Sequence, residues 1–179
     1  MLARLAVRPF GTIWDLQNKC KSSSGVLNKL HKFLYGWYQF EHGSKIDFRA
    51  EIGNNVALPF GMRQIVMSPE VKIGENVTIY PHVMIATDYT EEGAKNTPVI
   101  GDNCSIGAGV KIIGGVTIGN NVKIMPNCVV LQDIPDNSIV KSLAIEVESF
   151  SEVDTRHYEM RGDKLCYFEG NKMIEADKK

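Results

Sequence analysis

The chain has 179 residues, a formal net charge of −1, 44% apolar and 23% charged residues, the balance of an ordinary folded protein with one principal domain. A net charge so near zero excludes a global electrostatic case for nucleic acid or an acidic polymer as partner. No apolar run approaches the roughly 20 residues of a membrane-spanning helix.

Residues 1–43 read as a basic, amphipathic helical opening segment. Up to Phe40, Arg4, Arg8, Lys19, Lys21, Lys29 and Lys32 face Asp15 alone. Together with Ser22–Ser24, this acid-poor start fits either a targeting or membrane-surface segment or a plain docking helix, and it lacks the apolar core of a secretory signal. Val26, Leu27, Leu30, Phe33, Leu34, Trp37 and Tyr38 recur at roughly helical spacing, which predicts an amphipathic helix over Val26–Tyr38. Its aromatic face is expected to cover the open edge of the element that follows.

From residue 44 to 140 a six-residue rhythm takes over. Ile100, Ile106, Ile112, Ile118, Ile124 and Val130 keep the step, and a second small apolar residue follows each four positions later, at Cys104, Val110, Val116, Val122, Cys128 and Ile134. A period of six is neither the 3.6 of a helix nor the 2 of a half-buried strand. It is the period of a solenoid in which each hexad is one short strand plus a turn. Three hexads make one coil, so eighteen residues return the chain to its start and the β-branched isoleucines stack inside a narrow prism. The expected fold is an all-β solenoid, the left-handed parallel β-helix, an exception to the right-handed crossover rule. Gly and Asn, as in Gly74-Glu75-Asn76 and Gly101-Asp102-Asn103, are expected at corners with left-handed backbone angles.

The rhythm extends upstream through Ile46, Ile52, Leu58, Met67, Ile73, Ile79 and Ile85, with two interruptions. Between Leu58 and Met67 something near Pro59–Ile65 must bulge out. A polar stretch, about residues 86–98, is predicted to leave the prism as a loop, and such insertions often carry function. After Ile139 the rhythm stops, and residues 141–179 are a charged C-terminal extension. Within it Leu165–Phe168 and Lys172–Ile174 read either as a hairpin turning at Gly170-Asn171 or as a solvated tail. Of the cysteines, Cys104 and Cys128 occupy the small second position and are expected to be buried, reduced and structural, which fits a cytoplasmic protein.

The segment Ile46–Val140 resembles the hexapeptide-repeat acyltransferases, in particular their serine O-acetyltransferase-like branch. The likeness rests on Leu58-Pro59-Phe60-Gly61 with Ile65–Ser68, on Lys72–Tyr80, on Ile100–Gly114 and on Val129–Asn137. It implies a homotrimer with sites between neighbouring subunits, acetyl-CoA as donor, and a histidine that takes the proton of a small hydroxyl or amine acceptor. A base with pKa near 7 suits that task, and fixed backbone N–H groups would hold the developing oxyanion. On the donor side, Ala86 and Thr87 stand where family members open the loop, and Ala108 and Gly109 where backbone meets the pantetheine arm. The usual Gly-Ala further along is Met125-Pro126, so Pro126 completes the expected cofactor-binding set.

The acceptor side departs from the family pattern. Phe60 stands where the branch carries its histidine, Lys45 where it carries an acidic residue, and Asn96-Thr97 where it carries Arg-His. His82 is the one histidine on the coils and so the candidate catalytic base; the alternative is a surface or interface histidine bonded to a carbonyl. No three histidines converge in the repeat, so no metal is expected. These residues imply an acetyl-CoA-dependent O- or N-acetyltransferase, or alternatively a catalytically impaired trimeric scaffold or CoA-binding subunit.

Overall fold

The computed structural model describes residues 7–89, 95–142, 158–161, 164–169 and 172–175. The chain divides into two compact units, Met1–Leu143 and Ala144–Lys179.

The first unit opens with a 3₁₀ turn, Arg8–Phe10, and two helices, α1 (Ile13–Ser22) and α2 (Gly25–Glu41). A reciprocal capping box starts α1. The Thr12 hydroxyl accepts from the Asp15 amide at 3.1 Å, and the Asp15 carboxylate accepts from the Thr12 amide at 2.8 Å. The sequence Thr12-x-x-Asp15 carries this signal within the segment expected to be helical, whose apolar spacing points only to Val26–Tyr38. The helix predicted over Val26–Tyr38 is present as α2, longer at both ends.

The coils follow. Short parallel strands build three faces of a left-handed β-helix. Face A stacks Lys45–Ile46, Val66–Met67, Met84–Ala86, Lys111–Ile113 and Val129–Val130. Face B stacks Glu51–Ile52, Lys72–Ile73, Val99–Ile100 and Thr117–Ile118, and face C stacks Thr78–Ile79, Ser105–Ile106, Lys123–Ile124 and Ile139–Val140. In the regular part the register is the predicted eighteen residues, with Ile100 on Ile118, Ile106 on Ile124 and Ile112 on Val130. The interruptions appear as register offsets: Ile46 lies on Met67 and Ile85 on Ile112. The ladder isoleucines other than the half-buried Ile52, and the second-position Val83, Cys104, Val110, Val116 and Val122, are buried in one continuous core.

Three details differ from expectation. The hexad glycines Gly53, Gly74, Gly101 and Gly119 do not carry the left-handed angles, which belong to Asn55, Asn76, Asn103, Asn121 and Asn137. Those glycines are needed for distance: a Cβ on Gly74 would lie 2.7 Å from the Gly101 carbonyl oxygen, inside any real contact. Second, Ile134 does not take the small second position. It bridges to Ile118, because the last coil is shorter than the others. Third, α1 shares the covering of the first coil with the α2 aromatic face. The Trp14 indole donates to the Val56 carbonyl at 2.8 Å, and the Gln17 amide and the Lys21 ammonium donate to the Ala50 carbonyl at 3.1 and 2.7 Å. These bonds answer the open backbone edge of the coil. α2 adds Tyr35 and Tyr38 to the core, and its Gln39 side chain accepts from the Ile46 amide.

The second unit contains an antiparallel sheet of Tyr158–Arg161, Lys164–Glu169 and Lys172–Glu175. The hairpin alternative thus describes its last two strands, while Gly170-Asn171 lies outside the described residues. All four cysteines are buried, Cys104 and Cys128 among them.

Candidate active site

The first interruption is a folded turn. The Gly61 amide donates to the Leu58 carbonyl at 2.9 Å, and Arg63 returns its Nε to the Phe60 carbonyl at 3.2 Å. Met62 and Ile65 are fully buried and pin the turn to the core, while Pro59, Phe60, Arg63 and Gln64 stay exposed. Phe60 is 60% exposed, and its ring lies 6.1 Å from that of Tyr80. It borders a groove of about 920 Å³ shared with Trp14, Tyr38, Leu58, Met62 and Arg63. Where the resemblance leads one to expect a basic histidine, the chain therefore presents an exposed aromatic ring with no proton acceptor of its own.

His82 is an exposed corner residue with φ +63°, and its amide donates to the Arg63 carbonyl at 3.0 Å. Its side chain borders a groove of about 350 Å³ with Glu41, His42, Arg63 and Gln64. Histidine is one of the few non-glycine types found there with any frequency, and the equivalent corners of the next coils are Gly109 and Asn127. Backbone bonds stack them: Gly109 donates to Pro81 at 3.0 Å and Asn127 to Ala108 at 2.8 Å. Ala108, Gly109 and Pro126 therefore continue the His82 corner from coil to coil. A Cβ on Gly109 would collide with the Asn127 side chain, so coil stacking alone demands this glycine.

Ala86 and Thr87 lie at the opposite edge of face A, where the chain leaves for the loop. The Thr87 amide donates to Ser68 Oγ at 3.1 Å, and the Thr87 and Thr97 hydroxyls meet at 3.2 Å. Thr97 thus closes the base of the loop. The loop begins and ends as an antiparallel pair, Asp88–Tyr89 with Lys95–Asn96; residues 90–94 lie outside the described residues. Asp88, Asn96, Gly114, Leu131, Gln132 and Asp133 border a groove of about 470 Å³ on this side. The predicted residues therefore fall into two groups on the two edges of face A, with His82, Ala108, Gly109 and Pro126 on one and Ala86 and Thr87 on the other. The Arg63 contacts to both Phe60 and His82 went unnoticed in the sequence, since nothing in the hexad pattern ties an insertion to the corner of the next coil.

Among ionisable groups near the first coil, Asp47 is held below the ordinary aspartate range, first by the hydrogen bond from the Arg49 side chain. Burial raises the Cys104 thiol, which donates to the Gly119 carbonyl at 3.2 Å. Among the described residues, no cluster of three or more His, Cys, Asp or Glu side chains is placed to hold a metal ion.

Eighteen-residue coils, stacked isoleucine ladders and Asn corners define a hexapeptide-repeat β-helix. Residues 97–132 match the family described as bacterial transferase hexapeptide (six repeats). The serine acetyltransferase of Staphylococcus xylosus is 41% identical over 102 residues, which are 57% of this chain and 46% of that protein. Serine acetyltransferase isoform 3 of Entamoeba histolytica, solved with cysteine, superposes with a TM-score of 0.63 at 26% identity, covering 78% of this chain and 50% of that one. The Neisseria gonorrhoeae serine acetyltransferase, solved with serine, gives a TM-score of 0.59 at 27% identity, over 79% and 53% of the two chains. The coils are thus similar to those of serine acetyltransferases, and this chain spans about half the length of the curated relatives it matches.

Proposed function

We propose that this protein is an acetyl-CoA-dependent acetyltransferase that moves an acetyl group onto a hydroxyl or amine of a small acceptor. The observation that carries the reading is the 41% identity to the S. xylosus serine acetyltransferase over 102 residues. The residues offered for the donor fit a CoA arm in one respect. Ala86, Ala108 and Gly109 present no side chain beyond a methyl group, so the main chain stays approachable. The chemistry asks one group to accept the proton of the acceptor and fixed N–H donors to stabilise charge on the thioester oxygen. His82 is the residue we assign to the proton. The Thr87 amide already donates to Ser68 Oγ, so the oxyanion donors lie elsewhere. The working assembly is a homotrimer in the cytoplasm. No helix among the described residues is long and apolar enough to cross a membrane.

A second reading has an observation of its own: Phe60 occupies the place of the family base, and Thr97 that of another histidine. A protein so altered would serve as a trimeric scaffold or a CoA-binding subunit without transfer. Incubation with acetyl-CoA and a panel of hydroxyl and amine acceptors, followed by thiol release and by calorimetric titration of acetyl-CoA, separates the two. Thiol release above background supports transfer. Saturable binding without release supports the CoA-binding subunit, and no binding eliminates every CoA-dependent role.

A further inference from the structure

The groove of about 920 Å³ beside Phe60 is walled by the 3₁₀ turn, α1, α2 and the first interruption, and its volume is that of a small-molecule site. Much of the wall is apolar, with the rings of Trp14 and Phe60 beside Leu58 and Met62. The Trp14 N–H is already given to the Val56 carbonyl at 2.8 Å, so the indole offers the groove no donor. Tyr38 is the polar side chain that the wall buries, at 8% exposure. Its hydroxyl has no hydrogen-bond partner among the described residues. A buried tyrosine normally finds its hydroxyl a partner. The Tyr35 hydroxyl is sealed away from solvent, whereas Tyr38 borders the groove, so its partner is expected from whatever occupies that space.

Charge gives the occupant its sign. Arg8 and Arg63 border the groove, and among the described residues no Asp or Glu does. Neither guanidinium has an acidic partner among the described residues. The carboxylate of Asp15, next to Trp14 in the chain, is committed to Thr12, whose hydroxyl donates to it at 2.7 Å. Arg63 donates its Nε to the Phe60 carbonyl at 3.2 Å. That bond orients the guanidinium and leaves its Nη groups for a planar, bidentate acceptor such as a carboxylate. Arg63 also borders the His82 groove, so an anion held there has the apolar wall on one side and the His82 corner on the other.

We infer that this groove binds a small carboxylate carrying an apolar or aromatic body, with the carboxylate on Arg63, the body against Trp14, Leu58, Phe60 and Met62, and a polar atom on the Tyr38 hydroxyl. Arg8 adds attraction at longer range. A polar ligand without such a body would satisfy the guanidinium and leave the apolar wall in water, so burial of that wall selects the class. In the acetyltransferase reading, on which this role rests, the ligand is the acceptor, a hydroxy or amino acid. Transfer forms a bond from its oxygen or nitrogen to the acetyl carbon, breaks the C–S bond of acetyl-CoA, and passes the acceptor's proton through His82 to the departing thiolate. The binding itself rests on the groove alone.

The test titrates the full chain calorimetrically with phenyllactate, its methyl ester and lactate. Phenyllactate is expected to bind saturably and the other two at least about 10-fold more weakly. The ester has lost the charge-assisted bonds, and lactate the buried ring. Arg63→Gln should weaken phenyllactate by about 10- to 100-fold, and Tyr38→Phe by about 2- to 10-fold. Tyr38→Phe keeps the packing, so it remains decisive if Arg63→Gln disturbs the Phe60 turn. Absence of saturable phenyllactate binding, equal affinity for the ester or for lactate, or unchanged affinity in Tyr38→Phe would overturn the proposal. Phenyllactate binding without thiol release from acetyl-CoA would sustain the site and sink the acetyltransferase reading instead.

Discussion

Glycine and asparagine divide the labour at each corner. Asparagine takes the left-handed angle, at Asn76 and Asn103 for instance, and its amide bonds to the equivalent residue of the next coil, Asn76 to Asn103 at 3.2 Å. Glycine is there because the next coil is too close for a side chain. In Gly101→Ala the new methyl would lie 2.6 Å from Asn120 Oδ1 and 2.9 Å from the Gly119 carbonyl oxygen. Since backbone is what must move, the variant is expected to lose about 2–3 kcal/mol, read as a lower denaturant midpoint with unchanged slope. Tyr35 makes the opposite case. Its ring is buried, its hydroxyl has no hydrogen-bond partner among the described residues, and burial drives its ionisation far above the ordinary tyrosine range. Tyr35→Phe removes an unpaired buried polar atom, so its stability should stay equal or rise by up to about 1 kcal/mol; a clear drop in the melting temperature would reveal a bond to that hydroxyl.

At the scale of elements, α1 holds the edge of the first coil and its capping box holds α1. Thr12→Ala should cost about 1 kcal/mol and loosen the Trp14 bond to Val56 with it. The Asp15 carboxylate is lowered from its ordinary pKa first by the Thr12 side-chain hydrogen bond, and Asp47 by that of Arg49. Both folded-state values lie below the unfolded ones. Their contribution is therefore complete above the ordinary aspartate pKa of about 4 and is lost as pH falls through the depressed values. Melting temperature should accordingly be flat from pH 7 to 5 in this respect and decline in stronger acid. Asp15→Asn should flatten that decline, and an unchanged acid limb would show that the Thr12 hydrogen bonds do not lower the carboxylate's pKa on folding.

For the whole molecule, the open matter is whether face A works as a catalytic surface. His82→Asn is the informative change, because Asn127 occupies the equivalent corner in a left-handed conformation and asparagine tolerates it. The fold should survive while turnover falls by about 10²–10⁴-fold; unchanged turnover would remove His82 from the reaction. Phe60→His complements it. New activity there would mark a site that has lost its base, whereas activity confined to the parent would mark one rebuilt around His82.

Sequence alone determined the solenoid, because every hexad repeats the same local demand for a β-branched residue inward and a tight turn after it. The positions of Ile100 through Val130 suffice for that, and so do the places where the chain departs from the prism. Only the tertiary structure decided what lies across from each residue. It turned the hexad glycines from corner formers into spacers, moved Ile134 beneath Ile118, and folded Met62 and Ile65 back into the core. It also placed Arg63 against both Phe60 and His82, and selected which side of α2 faces the coils. The reason is physical: periodicity reports what a segment needs from its own neighbours, whereas these outcomes depend on contacts between residues many positions apart, and each insertion changes that separation.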